Sequence, residues 1–181
     1  MEEVRFIGIT KDTPESHAIQ YGKCPTGRDC PTCQSFCRQG AGYLAEKDFA
    51  RIAKHLGITE TKLKMDYLES KVLFNKRMWQ PKLLKKDDGH HHGQCIFFNE
   101  HEKCTIHGVK PLHCKVSTCS EYGDQMHEWF VLNHIIDADD PVAIREWAQK
   151  LKVKPTIHGG ELHELVDEGK LKKMLSYDML H

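Results

Sequence analysis

Cysteines are the residues of this sequence best suited to chemistry, and there are eight of them. Four lie within a stretch of fourteen residues near the N-terminus, and four follow after a long gap. Soft sulfur donors select zinc, copper(I) and iron-sulfur clusters. We therefore predict that all eight are metal ligands: Cys24, Cys30, Cys33, Cys37, Cys95, Cys104, Cys114 and Cys119.

The cysteine spacing favours an iron-sulfur cluster over zinc. Cys30 and Cys33 form a C-x2-C step, which brings two thiolates within reach of one metal, and Cys37 adds a third donor. A structural zinc ribbon has a second C-x2-C step, and none is present. We expect an iron-sulfur cofactor, with [4Fe–4S] favoured and zinc as the alternative, although the spacing matches neither ferredoxin pattern. Whether the thiols form one centre or two stays open at this point.

Composition and charge narrow the class of protein. The 181 residues include 26 Lys and Arg against 26 Asp and Glu, so no overall basic charge favours nucleic acid or acidic membranes. No apolar run approaches the ~20 residues that span a bilayer. The N-terminus begins with acidic residues and lacks the features of a secretory signal. We expect a cytoplasmic protein with reduced thiols rather than four disulfides. We also expect it to act with an unidentified protein partner or on a protein substrate.

Apolar periodicity predicts helices on both sides of the second cysteine group. Residues 45–57 form a helix ended by Gly57, and a second helix starts near Thr59. Residues 124–151 form two helices with a break at 137–141, and 161–180 form a final amphipathic stretch.

The remaining segments show extended or irregular patterns. Residues 4–9 alternate like a short strand. Residues 71–84 and 94–98 are two extended runs with an Asp-Gly turn signal between them. Pro81 is expected to end the first run or to confine it to the edge of a sheet. Residues 21–43 show no regular period, so we expect the ligands to order them. The predicted fold is mainly α with a small β hairpin: a compact metal-centred cysteine-cluster domain at 1–120, with a C-terminal helical extension at 121–181 packed on it.

Two blocks of the sequence resemble a known family. The first contains Cys30, Cys33 and Cys37 and is followed by the helix Asp48-Phe49-Ala50-Arg51-Ile52-Ala53-Lys54-His55-Leu56-Gly57-Ile58. The second contains Cys95-Ile96-Phe97, Cys104-Thr105-Ile106-His107 and Lys110-Pro111-Leu112-His113-Cys114. In this order, over about residues 28–120, the chain resembles the YkgJ-type cysteine-cluster family, described as zinc- or iron-chelating domains. The resemblance implies a metal or iron-sulfur centre.

The chain also departs from that family's pattern. Phe36 stands where a doubled cysteine would begin, and Cys24 lies upstream of the usual block. The resemblance leaves open whether Cys24 replaces the missing ligand. A flagellin lysine N-methylase carries a similar block, but this sequence has no glycine-rich S-adenosylmethionine loop of the usual kind.

Two functions from different classes follow. In the first, an iron-sulfur centre has a redox or transferase role. In the second, zinc stabilises a protein-interaction module without catalysis, and the C-terminal helices dock the partner. Whether the protein is an enzyme stays open. His107 and His113 flank candidate ligands, and we expect them to hydrogen-bond to thiolates rather than to bind metal.

Overall fold

The computed structural model describes residues 8–84 and 92–176. Within them the chain is mainly helical, as predicted. The α-helices are α1 (Glu15–Tyr21), α2 (Pro31–Gln39), α3 (Glu46–Leu56), α4 (Glu60–Tyr67), α5 (Leu112–Val116), α6 (Gly123–His134), α7 (Pro141–Leu151), α8 (Leu162–Leu165) and α9 (Glu168–Ser176). No helix of the described segments combines the length and the apolar character needed to cross a membrane.

Short strands pair into separate two-stranded antiparallel sheets. The strands are β1 (Leu68–Leu73), β2 (Lys76–Pro81), β3 (Leu83–Leu84), β4 (Gln94–Cys95), β5 (Phe98–Asn99) and β6 (Lys103–Cys104). They pair as β1 with β2, β3 with β4, and β5 with β6.

The first predicted run contains a hairpin of its own, β1–β2, and its last residues form β3, which pairs with β4 of the second run as predicted. The turn residues of β1–β2, Phe74 and Asn75, have φ angles of 48° and 58°, as in a tight hairpin turn. Pro81 ends β2, as expected from its missing N–H. The Asp-Gly turn signal and the strand predicted at 4–9 lie wholly or largely outside the described residues.

Helices α3 and α4 confirm the predictions made from local signals. Gly57 follows α3 with φ of 67°, the left-handed conformation that commonly ends a helix. Thr59 caps α4, because its hydroxyl accepts a hydrogen bond from the Lys62 N–H at 3.1 Å.

Residues 21–43, which show no regular apolar period, contain the helix α2 at 31–39. None of its residues is fully buried, so it has no apolar face of its own to produce a helical period. Pro31 at its first position pre-orders the backbone, and the helix contacts β4 and β6, which carry later cysteines. The short helix α1 was also missed.

The C-terminal helices follow the predicted order. α6 and α7 flank the predicted break, and Asp140 caps α7 by accepting from the Val142 N–H at 2.9 Å. The last amphipathic stretch is divided between α8 and α9.

Two main apolar clusters hold the described part of the chain together. The first contains most of the apolar residues of α6 and Trp147 of α7, and Ile9, Ala18, Ala45 and Met78 from earlier in the chain also belong to it. The second packs α3 and α4 against Cys95, Phe97, Phe98 and Ile106. The first cluster thus joins residues from both sides of position 120, and the domain boundary predicted there stays a prediction.

Candidate metal centre

Four cysteines from four different elements come together at one cavity. We call Cys37, Cys95, Cys104 and Cys114 the quartet; they lie on α2, β4, β6 and α5 respectively. In every pair of the quartet, the charge of one thiol raises the pKa of another. Thiols separated by up to 77 positions in sequence are therefore neighbours in space.

Burial makes the quartet thiols resist ionisation. It raises the pKa of Cys37 to about 11 and that of Cys95 to about 12, with further increases from neighbouring thiols. The pKa of Cys114 rises further still, again chiefly through burial. Such thiols ionise when a metal replaces their protons, so binding releases protons.

Backbone amides and cations around the quartet favour its charged form. The N–H groups of Phe97, Ile106 and Gly42 donate to Cys95, Cys104 and Cys114, respectively, and each lowers the pKa of the thiol that accepts it. The Lys110 ammonium group lowers the pKa of Cys37 and Cys104. Donors of this kind stabilise metal-bound thiolates and, in iron-sulfur proteins, adjust the reduction potential.

A second group of thiols lies at the start of α2. We call Cys24, Cys30 and Cys33 the trio; their sulfur atoms lie within 4.8 Å of one another. Hydrogen bonds from the backbone N–H groups of Cys33 and Thr32 lower the pKa of Cys30 to about 7, although burial opposes them. Burial and the charge of Cys30 raise the pKa of Cys33 to about 11.

Cys119 belongs to neither group. It is exposed and lines the cavity beside Ser120. None of the eight cysteines forms a disulfide. The structure thus separates the eight predicted ligands into the trio, the quartet and one isolated thiol.

A buried carboxylate fixes the segment that carries Cys114. Asp48, 1% exposed in the first turn of α3, accepts hydrogen bonds from the N–H of Ala45 at 2.8 Å and of Leu112 at 2.7 Å. Arg51 forms an ion pair with Asp48 and donates to the Lys110 carbonyl at 2.9 Å. Leu112 is the first residue of α5, so this network locks the two chain segments together.

This role of Asp48 was not predicted from the sequence. The only available signal was an acid three positions before an arginine, at the start of a helix whose apolar face is buried.

The cavity beside the quartet has a volume of about 560 Å³. Its wall includes the apolar residues Phe36, Phe98 and Ile106, the cations Arg28 and Lys110, and the acids Glu121 and Asp124. Phe36 is 49% exposed although it is a large apolar side chain. Exposed Cys119 also lines the cavity, so the cavity reaches the protein surface.

The expected hydrogen bond from His113 to a thiolate is absent, because both of its ring nitrogens are engaged elsewhere. Nδ1 accepts from the Tyr43 N–H at 3.2 Å, and Nε2 lies 2.8 Å from Nδ1 of His127. The Tyr43 contact places the His113 proton on Nε2, which therefore donates to His127. The ring also stacks on Phe130, so His113 is a structural residue of α5.

The donor set fits the metals expected from the sequence. Thiolates alone suit zinc, iron or an iron-sulfur cluster and do not suit magnesium or calcium. The quartet and the trio offer seven such donors.

Comparison with known proteins supports the same chemistry. No curated protein and no solved structure matched the chain. A family model, CxxCxxCC, described as "Putative zinc- or iron-chelating domain", matches residues 29–134, more than half of the chain. It includes the whole quartet, together with Cys30 and Cys33. The arrangement of the thiols and this match lead to one conclusion: the chain belongs to the CxxCxxCC family of zinc- or iron-chelating domains.

Proposed function

We propose that the quartet binds an iron-sulfur cluster, with [4Fe–4S] favoured, and that the protein uses it in a redox or transferase role. The observation that carries the proposal is the convergence of four thiols on one cavity without the close spacing of a single-ion site. Thiolates on one tetrahedral zinc lie about 3.8 Å apart, because each Zn–S bond is about 2.3 Å. Within the described residues, only the trio brings three ligand atoms within 4.8 Å of one another.

A polynuclear cluster fits this wider spacing. Each thiolate of a four-iron cluster binds a different iron atom, so the sulfur donors lie farther apart than those of a single ion. When bound, such a cluster supplies one-electron chemistry or, at an iron without a protein ligand, Lewis-acid chemistry. The chain's own contribution is to hold the four thiolates and to donate the three amide hydrogen bonds to them.

The surroundings of the cavity suit an outside reactant. Lys110 and Arg28 place positive charge beside the thiolates and offset the negative charge of a bound cluster. The exposed ring of Phe36 gives an apolar contact at the cavity wall. These features support an unidentified protein partner or protein substrate that reaches the cluster through this cavity. Free thiols suit a reducing compartment, so the proposal places the protein in the cytoplasm.

Anaerobic purification tests the proposal. We expect a brown protein that contains iron and acid-labile sulfide, with a visible absorption band that bleaches on reduction by dithionite. A colourless protein with zinc, no sulfide and no reducible band would contradict it.

The close spacing of the trio favours a second candidate function. In this alternative both groups bind zinc, the zinc of the quartet fastens α2 to the Cys104–Cys114 segment, and the protein is an interaction module without catalysis. Structural zinc contributes about 10–16 kcal/mol in small zinc-dependent domains, enough to dominate the stability of this region. Unfolding by a zinc chelator, in a protein without sulfide, would favour this candidate.

A further inference from the structure

The trio has the geometry of a site for one metal ion. Its three sulfur atoms lie within 4.8 Å of one another, so each pair is at most about 1 Å farther apart than thiolates bound to one zinc ion. Small rotations about the Cα–Cβ bonds remove that difference. Cys30 already lies in hydrogen-bonding contact with Cys24 and Cys33. We propose that Cys24, Cys30 and Cys33 bind one zinc ion as a second metal centre, separate from the quartet and with its fourth position open.

The start of α2 prepares two of these ligands. Cys30 is the residue before the helix, and Pro31 begins it. The free N–H groups of Thr32 and Cys33 point toward the Cys30 sulfur and donate to it. Cys33 lies in the first turn, so its sulfur is held on the same side as that of Cys30.

Two consecutive turns fix the third ligand. The Gly27 N–H donates to the Cys24 carbonyl at 3.1 Å, and the Cys30 N–H donates to the Gly27 carbonyl at 3.3 Å. Gly27 has φ of 63°, a conformation that costs other residues more than glycine. Cys24 lies outside residues 29–134, so the family match does not account for this ligand.

The thiols of the trio and the quartet affect one another's pKa within their own group, although Lys110 lowers the pKa of Cys33 as well as those of Cys37 and Cys104. The charges that raise the pKa of Cys33 are those of Cys30 and Cys24. The thiol charges that raise the pKa of Cys37 and Cys114 are those of quartet members. Cys33 and Cys37 lie one turn apart on α2, so the two centres would be neighbours without sharing a ligand.

No fourth protein ligand atom of the described residues lies as close to the three sulfur atoms as they lie to one another. Within the described residues, the group of ligand atoms mutually closer than 4.8 Å ends with the three sulfurs. Three protein ligands with an open position are typical of zinc sites that exchange water or substrate. The trio would therefore accept a small donor, such as imidazole or a free thiol, in that position.

Metal analysis of matched serine variants tests the site in the full chain. We expect Cys24→Ser to lose one zinc ion per chain and to keep its iron and sulfide. Cys119→Ser should keep zinc, iron and sulfide. Cys30→Ser, a second trio variant, should behave like Cys24→Ser, and circular dichroism shows whether each variant is folded. Retention of zinc in both trio variants, or joint loss of zinc, iron and sulfide, would overturn the second centre.

Cobalt(II) tests the open position. Added to metal-free protein, Co²⁺ should give a thiolate charge-transfer band that is weakened in Cys24→Ser and shifted by added imidazole. A band that imidazole does not shift, but that His107→Ala alters, would mean that His107 completes the site and would overturn the open position. Zinc bound by the trio in a protein without sulfide would refute the iron-sulfur proposal and leave this inference intact, so the two fail separately.

Discussion

The substitution Asp48→Asn tests whether a buried carboxylate holds the segment that carries Cys114. Asparagine has nearly the same size, but its amide NH₂ group cannot accept a hydrogen bond. If the amide oxygen accepts from Ala45 and Leu112, the NH₂ group faces the Arg51 guanidinium, and donor meets donor. Either orientation leaves a buried group without a partner.

The expected cost is about 3 kcal/mol. Breaking a buried ion pair by changing one partner costs about 3–5 kcal/mol. We take the lower end because the Arg51 side chain is 34% exposed and keeps its hydrogen bond to the Lys110 carbonyl. For a chain of this length, 3 kcal/mol lowers the melting temperature by about 6–12 °C.

Asp66 provides the matched control. It pairs with Lys62 on the surface of α4, and its side chain is 43% exposed. Asp66→Asn should change the free energy of unfolding by less than about 0.5 kcal/mol. Thermal unfolding of the as-purified proteins, followed anaerobically by circular dichroism, measures both. Equal melting temperatures for the two variants would refute the role assigned to Asp48.

Two further substitutions probe the packing around the site and the core. Gly42→Ala should displace Cys114 and reduce bound metal, since its Cβ would lie 2.5 Å from the Cys114 sulfur, whereas Gly108→Ala meets nothing within 4 Å and should keep the metal. Equal metal content in both variants would contradict this. Trp147→Phe removes a buried hydrogen bond to the Gly160 carbonyl, 2.8 Å long, so urea denaturation should show a loss of about 1–3 kcal/mol. An unchanged denaturation midpoint would contradict a stabilising role for the Trp147 hydrogen bond.

Local signals explain which elements could be predicted from the sequence. α3 and α4 have an apolar period, a glycine end or a threonine cap, all within one or two turns of the chain. The turn at Phe74 and Asn75 was missed because the Asp-Gly pair further along was the stronger signal, although asparagine tolerates positive φ well. α2 was missed because it has no apolar face of its own. Contacts with distant strands stabilise it instead.

The candidate site was predictable in its residue types but not in its arrangement. Spacing predicted that the cysteines are metal ligands, and the family match agrees with metal chemistry. How they divide into trio and quartet depends on β4, β6 and α5 meeting α2, and sequence spacing does not encode that meeting. The contact of Asp48 with Leu112 spans 64 positions, so it was equally hidden.

The most direct test of the central claim is the acid-labile sulfide content of anaerobically purified Cys95→Ser beside Cys119→Ser. Cys95 is a buried member of the quartet, and Cys119 is an exposed thiol outside both groups. We predict that Cys119→Ser keeps the sulfide and iron of the unmodified protein and that Cys95→Ser loses both. Equal sulfide in the two variants, or none in the unmodified protein, would contradict an iron-sulfur cluster held by the quartet.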